Sequence, residues 1–325
     1  MMAISIRDAF NIDVPATAKT KAFADASHPL IPVLDSNHVF DKSFVREFLA
    51  FLAQPMGDAM FVSGPTGSGK TSGVCQIAAR LNWPVQEMTC SNRMEATDLI
   101  GFHTMAAPAP GLAPEMKFMY GPLAIAMKHG HILLLNEVDM VEPGELAALN
   151  DVLEGRPLTI AQNGGEVVHP HPKFRVVVTA NSLGQGDETG QYHGVMMQNM
   201  ASLDRYRFAV VNYLEPVVEQ KILANVAPDI HVDLREKMVA VANEVRNAFT
   251  GDVDGGSQLS FTMSTRTLVR WARLALQFRS STNDAGERNQ LSYALHQSLL
   301  RRVSPSEKEA VLQLCRSHFG DVWHD

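Results

Sequence analysis

The residues best suited to chemistry lie together early in the chain. Gly64-Pro65-Thr66-Gly67-Ser68-Gly69-Lys70-Thr71 fits the spacing G-x-x-x-x-G-K-[ST]. Glycines at these positions let successive backbone N–H groups converge on an anion, and a helix starting at the loop adds the positive end of its dipole. Lys70 would neutralise β- and γ-phosphates, and the Thr71 hydroxyl would ligate Mg2+. The eight residues read as a phosphate-binding loop, with ATP and Mg2+ as the expected ligands.

Two other polar positions close apolar runs. Ile132-Leu133-Leu134-Leu135 ends in Asn136-Glu137, and Phe174 to Ala180 ends in Asn181. In an open α/β sheet the carboxyl ends of the strands face the ligand crevice. A phosphate-loop hydrolase usually carries an Asp and then a Glu at such an end, the first supporting Mg2+ and the second orienting the attacking water. Glu137 fits the second role. Asn136 occupies the metal position and can hold a metal-bound water, but it brings no negative charge; Asp139 is a substitute carboxylate two residues on. His169-Pro170-His171-Pro172 reads as an extended lead-in to the next strand, with no carboxylate or cysteine close by to make a metal site.

Elements that could position these groups are legible around them. Ala59 to Ser63 is a short apolar strand before the loop, and Val74, Ile77, Ala78 and Leu81 mark a helix face after it. Asp41 is placed to cap a helix carrying Phe44, Val45, Phe48, Leu49 and Leu52, which Pro55 closes. Val85 to Cys90 predicts a second strand. From Gly101 to Gly121 the pattern breaks into a long Pro-, Met- and Ala-rich loop. Near its end, Phe118, Met119 and Tyr120 are candidates either for gripping a substrate or for packing on the core. Pro157 to Ile160 and Glu166 to Val168 flank Asn163-Gly164-Gly165, a β-hairpin signal. A glycine-rich loop spans Gly184 to Gly194, a short helix covers Met196 to Leu203, and a fifth strand runs from Arg207 to Tyr213. From Glu215 onward the periodicity is helical, broken by the Asp252 to Gln258 connection. The chain thus divides into an N-terminal arm (1–40), an α/β nucleotide-binding domain (41–213) and an all-helical domain (214–325).

Composition bounds the rest. The chain has 325 residues, 46% hydrophobic and 19% charged, with a formal net charge of −7 and no long basic block. That balance argues against a nucleic-acid partner. Cys75, Cys90 and Cys315 are far apart and lack metal spacing, as reduced thiols of a cytoplasmic protein would be. No apolar run is long enough to span a membrane.

The order of parts resembles an AAA+ ATPase of the MoxR-like branch. Several stretches are more specifically similar to the ATPase small subunit of aerobic cobaltochelatase: Ala79-Arg80-Leu81-Asn82-Trp83-Pro84, His171-Pro172 with Phe174-Arg175, Thr179-Ala180-Asn181-Ser182-Leu183-Gly184, Gly186-Asp187, Thr189-Gly190, Tyr192-His193-Gly194, and Met263-Ser264 with Arg266-Thr267. Phe10-Asn11-Ile12-Asp13-Val14-Pro15 resembles the same subunit's leader. The resemblance implies a P-loop parallel-sheet domain with a β-hairpin insertion, followed by a helical lid. It implies that Asn181 is sensor 1, that Arg205 of Leu203-Asp204-Arg205 is an arginine finger reaching a neighbouring subunit's γ-phosphate, and that Arg266 is sensor 2. A finger acting in trans implies a ring, and the family implies a homo-hexamer, a von Willebrand A-type partner and a separate large chelatase subunit.

On this reading the chain is a Mg2+-dependent ATPase ring motor that remodels a partner, with cobaltochelatase-like metal insertion as the first task. A MoxR-like chaperone acting with a von Willebrand A-type partner on another target is the second. A nucleotide-gated scaffold, in which Asn136 permits binding without turnover, is the third, and a DNA-directed motor the fourth.

Overall fold

Consecutive aliphatic residues suit a strand covered on both faces. Three such strands, Ala59–Ser63, Ile132–Asn136 and Arg175–Ala180, are buried along their whole length. The computed structural model describes residues 1–106, 114–147, 149–182, 196, 200–250 and 259–325. The expected Gly184 to Gly194 loop, the start of the Met196 to Leu203 helix beyond Met196 itself, and the Asp252 to Gln258 connection lie outside these residues.

All five strands of the central sheet are parallel, in the order Tyr206–Val210, Ala59–Ser63, Arg175–Ala180, Ile132–Asn136, Val85–Thr89. Alternate residues feed opposite cores. Met60, Val62, Leu134 and Val177 pack on one side with Phe44, Phe48 and Val74. Phe61, Leu133, Leu135 and Val178 pack on the other with Leu123, Leu149 and Ile160. Register aligns the carboxyl ends: Ala180 pairs with Ser63, Val178 with Leu135, and Thr89 with Asn136. The loop after Ser63, the Asn136-Glu137 pair and Asn181 therefore emerge along one edge.

Two compact units make up the chain. The first comprises Met1–Asp35, Phe40–Pro65 and Lys70–Val211; the second comprises Ser36–Val39, Thr66–Gly69 and Asn212–Asp325. The appendage expected over residues 1–40 is instead largely built into the first unit. Met2–Ser5 pairs antiparallel with Lys19–Ala22, and Phe10 and Ala22 are buried in the same core as Phe44. Leu30 O accepts from Val85 N (2.9 Å), so the segment is also tied to the edge strand.

The long loop expected from Gly101 to Gly121 differs as well. Gly101–Ala106 and Glu115–Tyr120 form an antiparallel pair, with Phe102 opposite Met119 and His103 opposite Phe118. Phe118 is buried, and Tyr120 Oη donates to Glu166 Oε2 (2.7 Å), so two of the three gripping candidates pack against the body while Met119 stays exposed. The hairpin signalled by Asn163-Gly164-Gly165 is present as Leu158–Ile160 paired with Glu166–Val168. Asp41 caps Lys42–Ala53 through Phe44 N (2.6 Å).

The second unit is helical: Pro216–Val226, Val232–Thr250, Thr265–Gln277, Gln290–Ser298 and Pro305–Phe319. Its core surrounds Trp271, whose Nε1 donates to Leu291 O (2.9 Å). Glu219 and Arg246 form a buried two-point pair (2.8 Å each); Met263 O and Asn243 Oδ1 accept further guanidinium protons, and Thr265 Oγ1 donates a second bond to Glu219 Oε1. Removing one partner of such a pair costs about 3–5 kcal/mol, because the other charge stays buried.

His131 begins the Leu-rich strand region, 5% exposed, with His28 and His129 rings at 5.0 and 5.6 Å. Burial, reinforced by His28, His129 and His171, pushes its pKa down to about 4. An unfolded histidine titrates near 6.5, so between these values the unfolded chain binds more protons and stability rises with pH. This contribution is complete above about pH 6.5 and is lost as pH falls towards 4. The fall in Tm between about pH 7.5 and 5 should therefore shrink in His131→Leu. An unchanged fall, read by circular dichroism, would remove His131 as its source.

Candidate functional site

The loop that follows Ala59–Ser63 leads into Lys70–Arg80. Gly67 holds φ +69°, and a Cβ there would lie 2.4 Å from Ser264 Cβ within the second unit, so the position excludes any side chain. In the same unit, Tyr213 Oη donates to Thr66 O (2.9 Å).

Lys70 is the centre of the site. Only 9% of it is exposed, and its ammonium donates to Gly64 O (2.7 Å), Pro65 O (2.9 Å) and Asn181 Oδ1 (3.1 Å). Burial lowers its pKa to about 8, opposed by the nearby Asp139 and Glu137 carboxylates. Beside it, Thr71 Oγ1 donates to Asn136 Oδ1 (2.7 Å), and Asn136 Nδ2 donates to Glu87 Oε1 (2.8 Å) on the neighbouring strand. Thr179 Oγ1 accepts from Glu137 N (3.3 Å) and donates to Asn136 Oδ1 (3.1 Å).

Glu137 takes a left-handed backbone, φ +58° and ψ 44°, which leaves the alternation of the strand and exposes its side chain. Such a conformation is uncommon outside glycine and is found where function holds it. Asp139 is fully buried. Its Oδ2 accepts from Asn181 N (2.8 Å) and Ser182 N (3.3 Å), so the carboxylate read as a stand-in metal ligand is engaged in anchoring the Asn181 turn.

Lys70 with Asn181 and Thr71 with Asn136 thus form two hydrogen-bonded pairs joined through the adjacent backbone of Lys70 and Thr71, with Glu137 following Asn136. Arg205 is not among them. Its backbone O accepts from Ala59 N (3.1 Å) at the amino end of the loop strand, while its Nε and Nη2 bind Glu154 Oε1 (2.8 and 2.7 Å). One five-residue strand, roughly 16 Å long, separates the two ends of the sheet. Arg266 belongs to the second unit, exposed in the first turn of Thr265–Gln277. Glu87 and Thr179 were not singled out by sequence. Thr179 lies in one of the stretches of family resemblance, without a role there, and the one signal of Glu87 is a polar residue in a short parallel strand, two positions before the Thr89 that pairs with Asn136.

The residues fit a nucleotide with its metal. Ser63 Oγ, Ser68 Oγ and Asp139 Oδ1 are buried without a hydrogen-bond partner among the described residues. A buried polar atom left unpaired is costly, and these three occur at the loop and beside it. Thr71 Oγ1 and Asn136 Oδ1 are hard oxygen donors suited to Mg2+.

Comparisons with known proteins bear on the same parts. Residues 59–192 match the family described as AAA domain (dynein-related subfamily), and residues 219–318 match CbbQ/NirQ/NorQ C-terminal. The aerobic cobaltochelatase subunit CobS of Sinorhizobium sp is 32% identical over 98% of this chain and 90% of its own length. The chain belongs to the MoxR-like AAA+ ATPases. An uncharacterized protein of Staphylococcus saprophyticus, SSP1341, is 35% identical across 48% of this AAA+ chain and 56% of its own length. Among solved structures, the Thermotoga maritima RuvB Holliday junction branch migration motor superposes with a TM-score of 0.46 at 12% identity, covering 80% of this chain and 68% of its own, a likeness too loose to decide anything. Among the described residues no helix is long and apolar enough to cross a membrane.

Proposed function

We propose that this AAA+ ATPase is a Mg2+-dependent ring motor that hydrolyses ATP to remodel a protein partner. The observation that carries the reading is the cluster of Lys70, Thr71, Asn136 and Asn181 at the carboxyl edge of the sheet, with the exposed Glu137 carboxylate beside it. Bound Mg2+–ATP would supply the phosphoanhydride and neutralise its charge. Gly64, Pro65, Thr66, Gly67, Ser68 and Gly69 wrap the phosphates, Lys70 exchanges its loop carbonyls for phosphate oxygens, and Thr71 with Asn136 holds the metal. Glu137 orients the attacking water and takes its proton, and Asn181 steadies that water against the γ-phosphate. Arg266 serves as sensor 2 in the helical unit.

Arg205 acts on a neighbouring subunit. Its place at the amino end of the loop strand supports this reading, and its pair with Glu154 is partly exposed, worth only about 0–1 kcal/mol. A finger used in trans needs a closed ring, and a hexamer follows from the family. Likeness to a cobaltochelatase subunit along nearly the whole chain supports a chelatase-type task, with a von Willebrand A-type partner and a large subunit that carries the metal chemistry. The CbbQ/NirQ/NorQ match of residues 219–318 favours a second reading, a chaperone of the same build acting on another target.

Steady-state hydrolysis tests the motor. Wild type should turn over with Mg2+, and Glu137→Gln should lose about 10²–10⁴-fold in rate while still binding nucleotide. A silent wild type would leave a nucleotide-gated scaffold. In mixtures with Arg205→Ala, turnover per wild-type subunit should fall, because poisoned neighbours withhold the finger. Activity proportional to the wild-type fraction would place Arg205 outside catalysis in trans.

A further inference from the structure

Asn136 is neutral where a magnesium-supporting carboxylate is expected, yet it is not isolated from charge. One contact determines which way its amide faces. Glu87 Oε1 can only accept, so it takes an Nδ2 proton (2.8 Å). That leaves Asn136 Oδ1 facing the Thr179 and Thr71 hydroxyls, which rotate to donate to it (3.1 and 2.7 Å). A flipped amide would set its oxygen against the Glu87 carboxylate, a clash that rotating the two hydroxyls cannot relieve.

The consequence falls on Thr71. With its proton committed to Asn136 Oδ1, the hydroxyl turns its lone pairs outward, as a metal-ligating oxygen must. Glu87 is an exposed residue of the edge strand Val85–Thr89, and its second oxygen receives the Cys75 thiol (3.7 Å). The carboxylate is thereby held from both sides while its charge stays one amide away from the metal-binding oxygens.

We infer that Glu87 is a positioning residue of the nucleotide's metal site: it locks the Asn136 amide with Oδ1 towards Thr71 and supplies, from the adjacent strand, the negative charge that position 136 lacks. The inference rests on the ATPase reading and deepens it. Asn136 and Glu87 work as one unit carrying a single negative charge.

A double-mutant cycle tests this, read as the Mg2+ concentration that half-saturates the gain in affinity for a fluorescent ADP analogue. Outer-shell partners of a metal site typically contribute about 10–100-fold to metal affinity. Glu87→Gln in the native background should raise the half-saturating Mg2+ about tenfold, with ADP affinity in EDTA unchanged. Asn136→Asp alone sets two carboxylates against each other at hydrogen-bond distance, so it should not improve on wild type. Adding Glu87→Gln to Asn136→Asp should then lower the Mg2+ requirement, reversing the sign of the Glu87 effect. An equal effect of Glu87→Gln in both backgrounds, or none in either, with melting curves unchanged, would overturn the inference while leaving the nucleotide site standing. Wild type failing to bind the analogue under any condition would overturn the ATPase reading and this inference together.

Discussion

A buried ammonium has to be answered by oxygen, and the loop of this ATPase is arranged around that requirement. Lys70 is almost closed off from water and spends its three protons on two loop carbonyls and on Asn181. Those contacts hold the loop in its wrapped form and join it to the end of the Asn181 strand. On the proposed reading they also give the loop a way to exchange states: the carbonyls are neutral acceptors, and a phosphate would offer charged ones, which make shorter and stronger bonds to an ammonium. The cation is thus preorganised, and its desolvation is already met by folding.

Everything else at the site follows from strand register. Parallel pairing places Ser63, Asn136 and Ala180 at neighbouring levels, so the loop, the Asn136-Glu137 step and Asn181 converge without any long side chain having to stretch. The same register sends Arg205 to the opposite end, beside Ala59. That place supports the proposal that Arg205 serves a neighbouring subunit's nucleotide. Asp139 adds a hidden constraint, tying the backbone of Asn181 and Ser182 from beneath.

Local chemistry was readable from the chain; long-range placement was not. The phosphate loop, the Asp41 cap and the Asn163-Gly164-Gly165 hairpin each rest on residues within a few positions of one another, and each is found where expected. The Gly101–Ala106 and Glu115–Tyr120 pair was missed because methionine, alanine and proline mask the alternation of strands. The opening residues read as an arm because Phe10, Ala22 and Phe40 alone among them are buried in this core, with Ile4, Ile6, Ala9, Ile12 and Phe23 packed at its margin, a set spread over short elements that shows no single period. Glu87 gave no motif at all. Register pairs it with Leu134, so its meaning lies in a side chain that reaches two positions along the neighbouring strand to Asn136, which only the folded structure reveals.

The central claim is that Lys70 exchanges loop carbonyls for nucleotide phosphate. Calorimetric titration of ATP, without Mg2+ so that the metal residues do not contribute, measures this directly on wild type and Lys70→Ala. The account predicts one ATP per subunit for wild type and a loss of about 100-fold or more in affinity for the variant, roughly the 2.7 kcal/mol of a desolvated charge-assisted contact. Equal affinity in the two proteins would contradict it, because the buried ammonium would then be a structural tie within the loop and nothing more.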